Sequence, residues 1–195
     1  MLTLRPILLS LSCAAGLFAV SGCYQLPKAR GYDVDVHAGT IREQNPRDIA
    51  IGPVLVVHEG VDVPDFALRR GFQRGLVKRR YSPLALEQVD NNLIEASYRA
   101  GRLEEDAALE IVVYTWDDSQ WDTRSVLTFD VEARLIDPEG SAIDPLWAGR
   151  LEKRMPFTQV RDVIPSNRAQ MERACEVIAD EILAALPQRV ARVGG

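Results

Sequence analysis

The side chains able to do chemistry in this 195-residue chain are few and scattered: three thiols, Cys13, Cys23 and Cys175, and two imidazoles, His37 and His58. His58 stands beside Glu59, a combination suited to general-base work, but no nucleophile accompanies it in sequence. His37 has no second ligand nearby, and a metal centre needs several. The run Trp116-Asp117-Asp118-Ser119-Gln120-Trp121-Asp122 mixes acids with two large rings. As a metal loop it lacks the turn glycine and distal glutamate of a calcium hand. Its other readings are a contact surface anchored by Trp116 and Trp121, with Asp117 and Asp118 between them, or a cover over one end of a core. Nucleophile-elbow, His-Glu-x-x-His, phosphate-loop and paired-cysteine motifs are all absent. These residues predict no catalytic group, no metal and no cofactor.

Cys23 is the exception, because of what precedes it. Arg5 lies near the amino terminus, an apolar run covers 7–20, and Val20-Ser21-Gly22-Cys23 closes it. That is the layout of an export signal over 1–22. The run is too short for the ~20 apolar residues a membrane-spanning helix needs. Ala19 and Ser21 also satisfy an ordinary small-x-small cleavage site, which would release a soluble protein. The Ser-Gly-Cys ending resembles the lipobox of bacterial lipoproteins. That resemblance implies a diacylglyceryl thioether on Cys23, cleavage before it and acylation, typically by palmitate, of the new amine. Several acyl chains at ~0.8 kcal/mol per buried CH₂ would make the anchor effectively permanent. Tyr24 rather than Asp follows, which by the same resemblance implies the periplasmic face of the outer membrane.

Loss of the leader removes Arg5 and no acid, so the formal net charge moves from −5 to −6. Such a balance disfavours nucleic acid as a partner. Cys175 would then be the one free thiol, so no internal disulfide forms and stability must come from a core.

The elements that must position these residues fall into one domain over 48–187, preceded by a polar tether over 23–47 and followed by a frayed tail over 188–195. The tether, read as flexible coil, would span roughly 25 to 30 Å. Residues 49–57 predict a buried strand, with Pro53 marking a bulge or an edge. A helix then opens at Asp62 or Asp65 with Pro64 in its first turn. Leu68, Phe72 and Leu76 form its buried stripe, and Gly71 and Gly75 are expected to let it approach a sheet. Arg70, Arg74 and Lys78, extended by Arg69, Arg79 and Arg80, make a basic stripe on its other side. This stripe is either a solvated face or a docking surface for an acidic partner or a lipid headgroup.

A short strand over 81–86 and a helix over 91–100 ending at Gly101 follow. Residues 109–116 and 125–136 read as strands, the second alternating cleanly, with Leu127, Phe129, Val131, Ala133 and Leu135 inward and Thr128, Asp130, Glu132 and Arg134 towards water. A turn at Asp137-Pro138-Glu139-Gly140 leads to a returning strand over 146–154. Ser166 caps a last helix whose Met171, Ala174, Cys175, Ile178, Ile182 and Leu186 form a stripe, with Cys175 as a buried small hydrophobe. The order β-α-β-α-β-β-β-α predicts a single-domain α/β fold, a mixed sheet with an antiparallel hairpin end and packed helices.

Ile49-Ala50-Ile51-Gly52-Pro53-Val54, Asp106-Ala107-Ala108-Leu109-Glu110-Ile111 and Ala133-Arg134-Leu135-Ile136-Asp137 with Gly140 and Leu146-Trp147-Ala148-Gly149 resemble segments of a bacterial periplasmic lipoprotein family, the Domain of Unknown Function 799 type. Its α/β module is similar to the amino-terminal domain of TolB, the curli secretion channel subunit and an outer-membrane activator of penicillin-binding proteins. The resemblance implies a module that binds envelope proteins or copies of itself without catalysis. Cys23 is the one functional residue it carries over. The chain is thus expected to be a membrane-anchored, non-enzymatic adaptor in transport or wall assembly. The alternatives are a lipid-anchored periplasmic hydrolase using His58 and acids in the Asp117 to Asp122 loop, or a carrier of a small apolar ligand with a deep apolar cavity between sheet and helices.

Overall fold

The computed structural model describes residues 33–94, 97–140, 144–157 and 166–191. The leader, Cys23, the first part of the expected tether and the end of the tail lie outside the described residues. In chain order the elements are β1 (Asp35–His37), α1 (Ile41–Gln44), β2 (Asp48–Val56), α2 (Asp65–Lys78), β3 (Ser82–Pro83), α3 (Leu86–Asp90), β4 (Ala107–Asp117), α4 (Trp121–Arg124), β5 (Val126–Ile136), β6 (Trp147–Pro156) and α5 (Asn167–Leu183). The strands form one six-stranded mixed sheet in the order β1-β6-β5-β4-β2-β3. β2 runs parallel to β3 and β4, and the other pairs are antiparallel. This is the α/β architecture the residue patterns predict.

Pro53 behaves as expected: the β2–β4 register shifts between Ile51 and Val54, where proline has no amide to donate. Five local expectations are corrected. Residues 33–47 are not a tether, because β1 pairs with β6 and Val34 and Ile41 are buried in the core. Gly39 shapes that turn; its φ is +43°, and a Cβ there would lie 2.3 Å from the Leu146 carbonyl oxygen. The strand over 81–86 shrinks to Ser82–Pro83. The helix over 91–100 does not form: α3 sits earlier, at Leu86–Asp90, and Ile94 and Ser97 close an isolated bridge. Asn92 instead returns its side-chain amide to the Gln88 carbonyl, the local competition that ends helices at asparagine. The tail is docked as far as residue 190, where the Arg189 amide donates to the Arg79 carbonyl and the Val190 amide to Asn45 Oδ1. Tyr81 adds a hydrogen bond to the Pro187 carbonyl at 3.0 Å, and burial pushes its phenol up to about 12.

The two helix glycines also pack elsewhere than expected. α2 and α5 run in the same direction over one face of the sheet, and Gly71 and Gly75 face α5 rather than the strands. A Cβ on Gly71 would meet the Cys175 carbonyl oxygen at 2.8 Å, whereas one on Gly75 would meet only the Leu183 Cδ1 tip at 2.6 Å. Leu68, Phe72 and Leu76 lie with Ala174, Cys175, Ile178 and Ile182 in the core, all fully buried.

A glycine in a helix costs about 1 kcal/mol against alanine, so close packing must more than offset it. Gly71→Ala is therefore expected to destabilise the fold by about 1 to 3 kcal/mol, since backbone cannot move aside as a side-chain tip can. Gly75→Ala should be clearly milder. Urea midpoints check this, and a Gly71→Ala protein as stable as the wild type would contradict the contact.

Candidate functional site

The tryptophan-acid loop is built around its own rings. β4 delivers Trp116 to the core side, where it packs against Phe129 with centroids 6.5 Å apart. The single turn α4 folds Trp121 back onto Phe157 at 5.7 Å. Both indoles are buried, at 6% and 7% exposure, so they close one end of the core and do not stand out as exposed anchors. Asp117 accepts the Ser119 amide at 3.0 Å, and hydrogen bonds from Ser119 hold its carboxyl below the usual range. Asp122 accepts from Asn167 at the start of α5. Asp118 stays exposed at the tip.

The basic stripe is divided by the same packing. Arg74 pairs with Glu176, and Lys78 with Asp180 at 2.6 Å, both across to α5. Arg70 remains exposed, near Phe66 and Glu172. Arg69 does not belong to a surface stripe: it is 3% exposed, and its Nη2 donates to the Ile51 carbonyl at 3.0 Å and to Asp90 Oδ1 at 2.6 Å. Arg79 is likewise committed, donating to the Leu186 and Ala184 carbonyls at 3.0 and 2.7 Å just beyond α5, where a cation also suits the helix dipole. Residue type alone does not separate these arginines; the i,i+4 spacing of Asp65 and Arg69 was the available signal.

The sheet face turned away from α2 and α5 carries a cluster that alternation assigned to water. Asp130 and Glu132 are each 6% exposed. Arg150 grips Asp130 with Nε at 2.8 Å and Nη2 at 2.6 Å, and its guanidinium lies 4.2 Å above the Tyr114 ring. Glu132 accepts from the Tyr114 hydroxyl at 2.8 Å and from Arg134 at 2.7 Å. The long arginine stems and the tyrosine ring roof over the carboxylates, which is why they are buried on an otherwise polar face. Burial pushes Glu132 up, but the bonds from Arg134 and Tyr114 outweigh it and hold the carboxyl below its ordinary value. Burial and then the Glu132 carboxylate push the Tyr114 phenol up.

His58 is exposed in the turn after β2, without a hydrogen bond to a side chain among the described residues. Cys175 is fully buried, and desolvation pushes its thiol up to about 12, consistent with a packing role. Among the described residues no group of three or more His, Cys, Asp or Glu is placed to hold a metal ion. No helix there is long and apolar enough to cross a membrane. The larger grooves lined by described residues are open at the surface. One of about 340 Å³ lies between Asn45, Arg47, Asp106 and Arg189, and one of about 360 Å³ lies along Phe66, Ala67 and Met171.

Glu132 has a depressed folded pKa, so its contribution is present above the ordinary carboxylate value of ~4.3 and is lost as pH falls through the folded value. Glu132→Gln is expected to cost about 1.5 kcal/mol at neutral pH and to flatten the stability profile below about pH 4.3. Unfolding midpoints across pH 3 to 7, with buffers at about equal ionic strength, read both effects. An unchanged acid limb would contradict the pairing.

No protein-family model and no curated protein matches the chain. Among solved structures it is similar to the PelC dodecamer from Paraburkholderia phytofirmans in space group P6, with a TM-score of 0.51 at 13% identity, covering 79% of this chain and 98% of that one. It is also similar to lipoprotein GNA1162 from Neisseria meningitidis, with a TM-score of 0.45 at 20% identity, covering 72% and 99%. A DUF4136 family protein from Bacteroides thetaiotaomicron is more distant, with a TM-score of 0.41 at 8% identity, covering 76% and 96%. At these identities the likeness to PelC is one of fold.

Proposed function

We propose that this chain is a non-enzymatic lipoprotein of the bacterial cell envelope. Acyl chains on Cys23 hold it at the periplasmic face of the outer membrane, and its α/β domain acts by binding an envelope protein or further copies of itself. The observation that carries the reading is Val20-Ser21-Gly22-Cys23 closing an apolar leader, ten residues before Asp33, the first described residue. The likeness of the strand segments to the Domain of Unknown Function 799 lipoproteins favours the same compartment. That PelC, with which the chain shares a fold, forms a dodecamer favours action through association. A role as an accessory to transport or wall assembly follows from that family resemblance.

Cys23→Ala is expected to leave a folded domain and to move it from the membrane fraction into the soluble fraction. Fractionation of cells making either protein, followed by alkaline extraction of the membranes, reads the outcome. Retention of Cys23→Ala on membranes would overturn the anchor.

A further inference from the structure

Four of the large apolar side chains exposed among the described residues lie at one end of the sheet, where β2 hands over to α2. Leu55 is 43%, Val56 39%, Val57 51% and Phe66 50% exposed. The Val54 amide donates to Asp65 Oδ1 at 2.7 Å, which ties this end of β2 to the start of α2, where Phe66 stands.

The sheet topology fixes where the chain from Cys23 arrives. β2, β4 and β6 share one direction, since β4 and β6 are both antiparallel to β5 and β2 is parallel to β4. β1 is antiparallel to β6, with Asp35 opposite Arg150 and the Asp33 carboxylate reaching Lys153 at 3.2 Å. The chain therefore enters β1 from the end of the sheet at which β2 finishes. Four strand spacings separate β1 from β2, roughly 19 Å. The ten residues from Cys23 to Asp33 reach at most about 35 Å.

We infer that this end of the domain faces the bilayer, with Leu55, Val56, Val57 and Phe66 resting in the interface of a zwitterionic lipid surface. The inference rests on the acyl anchor of the proposed function. Four half-exposed side chains offer on the order of 300 Å² of apolar surface, well short of the ~800 Å² per partner of a stable dimer. They need not bind alone, because the anchor already holds the domain within reach; their contact fixes its orientation. Glu59, Asp62, Asp117 and Asp118 are exposed at this end together with Arg70, Arg124, Arg154 and Arg168, so charges of both signs meet the surface and a zwitterionic bilayer fits.

The test uses the full lipidated protein in phosphatidylcholine vesicles containing doxyl-labelled lipid. Single cysteines replace Val57 at this end or Glu139 at the opposite end and carry an environment-sensitive fluorophore; Cys175 is fully buried and Cys23 is acylated, so labelling is selective. Quenching at position 57 is expected to exceed that at 139 by about threefold or more. Leu55→Ser with Val56→Ser should bring the two together while the protein still floats with the vesicles and keeps its circular dichroism spectrum. Equal quenching at both positions, stronger quenching at 139, or a position 57 shielded from lipid but crosslinked to a second copy would overturn the inference. Failure of the wild-type protein to float, or flotation of Cys23→Ala, would instead overturn the anchor.

Discussion

The spacing of α2 and α5 is set where Gly71 meets the Cys175 backbone, and much of the rest of the domain follows from it. With no side chain between them the helices share one face of the sheet, and together with Ile49, Leu109, Phe129 and Trp147 they enclose a single core. Close approach also places Arg74 and Lys78 opposite Glu176 and Asp180, so a basic stripe becomes a row of interhelix ion pairs. Such half-exposed pairs contribute little individually. They also neutralise positive charge that the helix face would otherwise present to solvent.

The edge of the sheet is handled by side chains of the same helix. β3 pairs with β2 only at Asp48 and Ile49, which leaves the following backbone groups without a strand. Arg69 supplies a donor to the Ile51 carbonyl and Asp65 an acceptor to the Val54 amide. Capping an edge in this way limits strand-to-strand association. Beyond Val54 that capping stops, and there Leu55, Val56 and Val57 are exposed, at the end of the sheet where the amino-terminal chain arrives.

Periodicity made the long elements legible. The alternation of 125–136, the i+4 stripe of Leu68, Phe72 and Leu76, and the helix capped by Ser166 each appear in the fold, because those segments bury one face along their whole length. Pattern failed where burial depends on a distant partner. β1 has three residues and exists because β6 offers an edge, a contact more than a hundred residues away. Asp130 and Glu132 look solvated until Arg150 and Tyr114 are laid across them. For Trp116 and Trp121 the sequence left anchor and core cover both open, since nothing local shows which way a loop ring turns, and burial decides for core cover. Trp147 had a readable cue: its ring occupies the space a Cβ on Gly149 would need, which gives the Leu-Trp-x-Gly pattern a packing reason.

A leader that ends in Ser-Gly-Cys precedes a domain whose first strand is fed from one defined end. Acylation of Cys23 is read directly by intact mass spectrometry of the protein extracted from membranes, with fragmentation of its amino terminus. The expected chain begins at Cys23 and carries a diacylglyceryl thioether and an N-acyl group. An unmodified Cys23 thiol, or a chain that retains the leader, would contradict it.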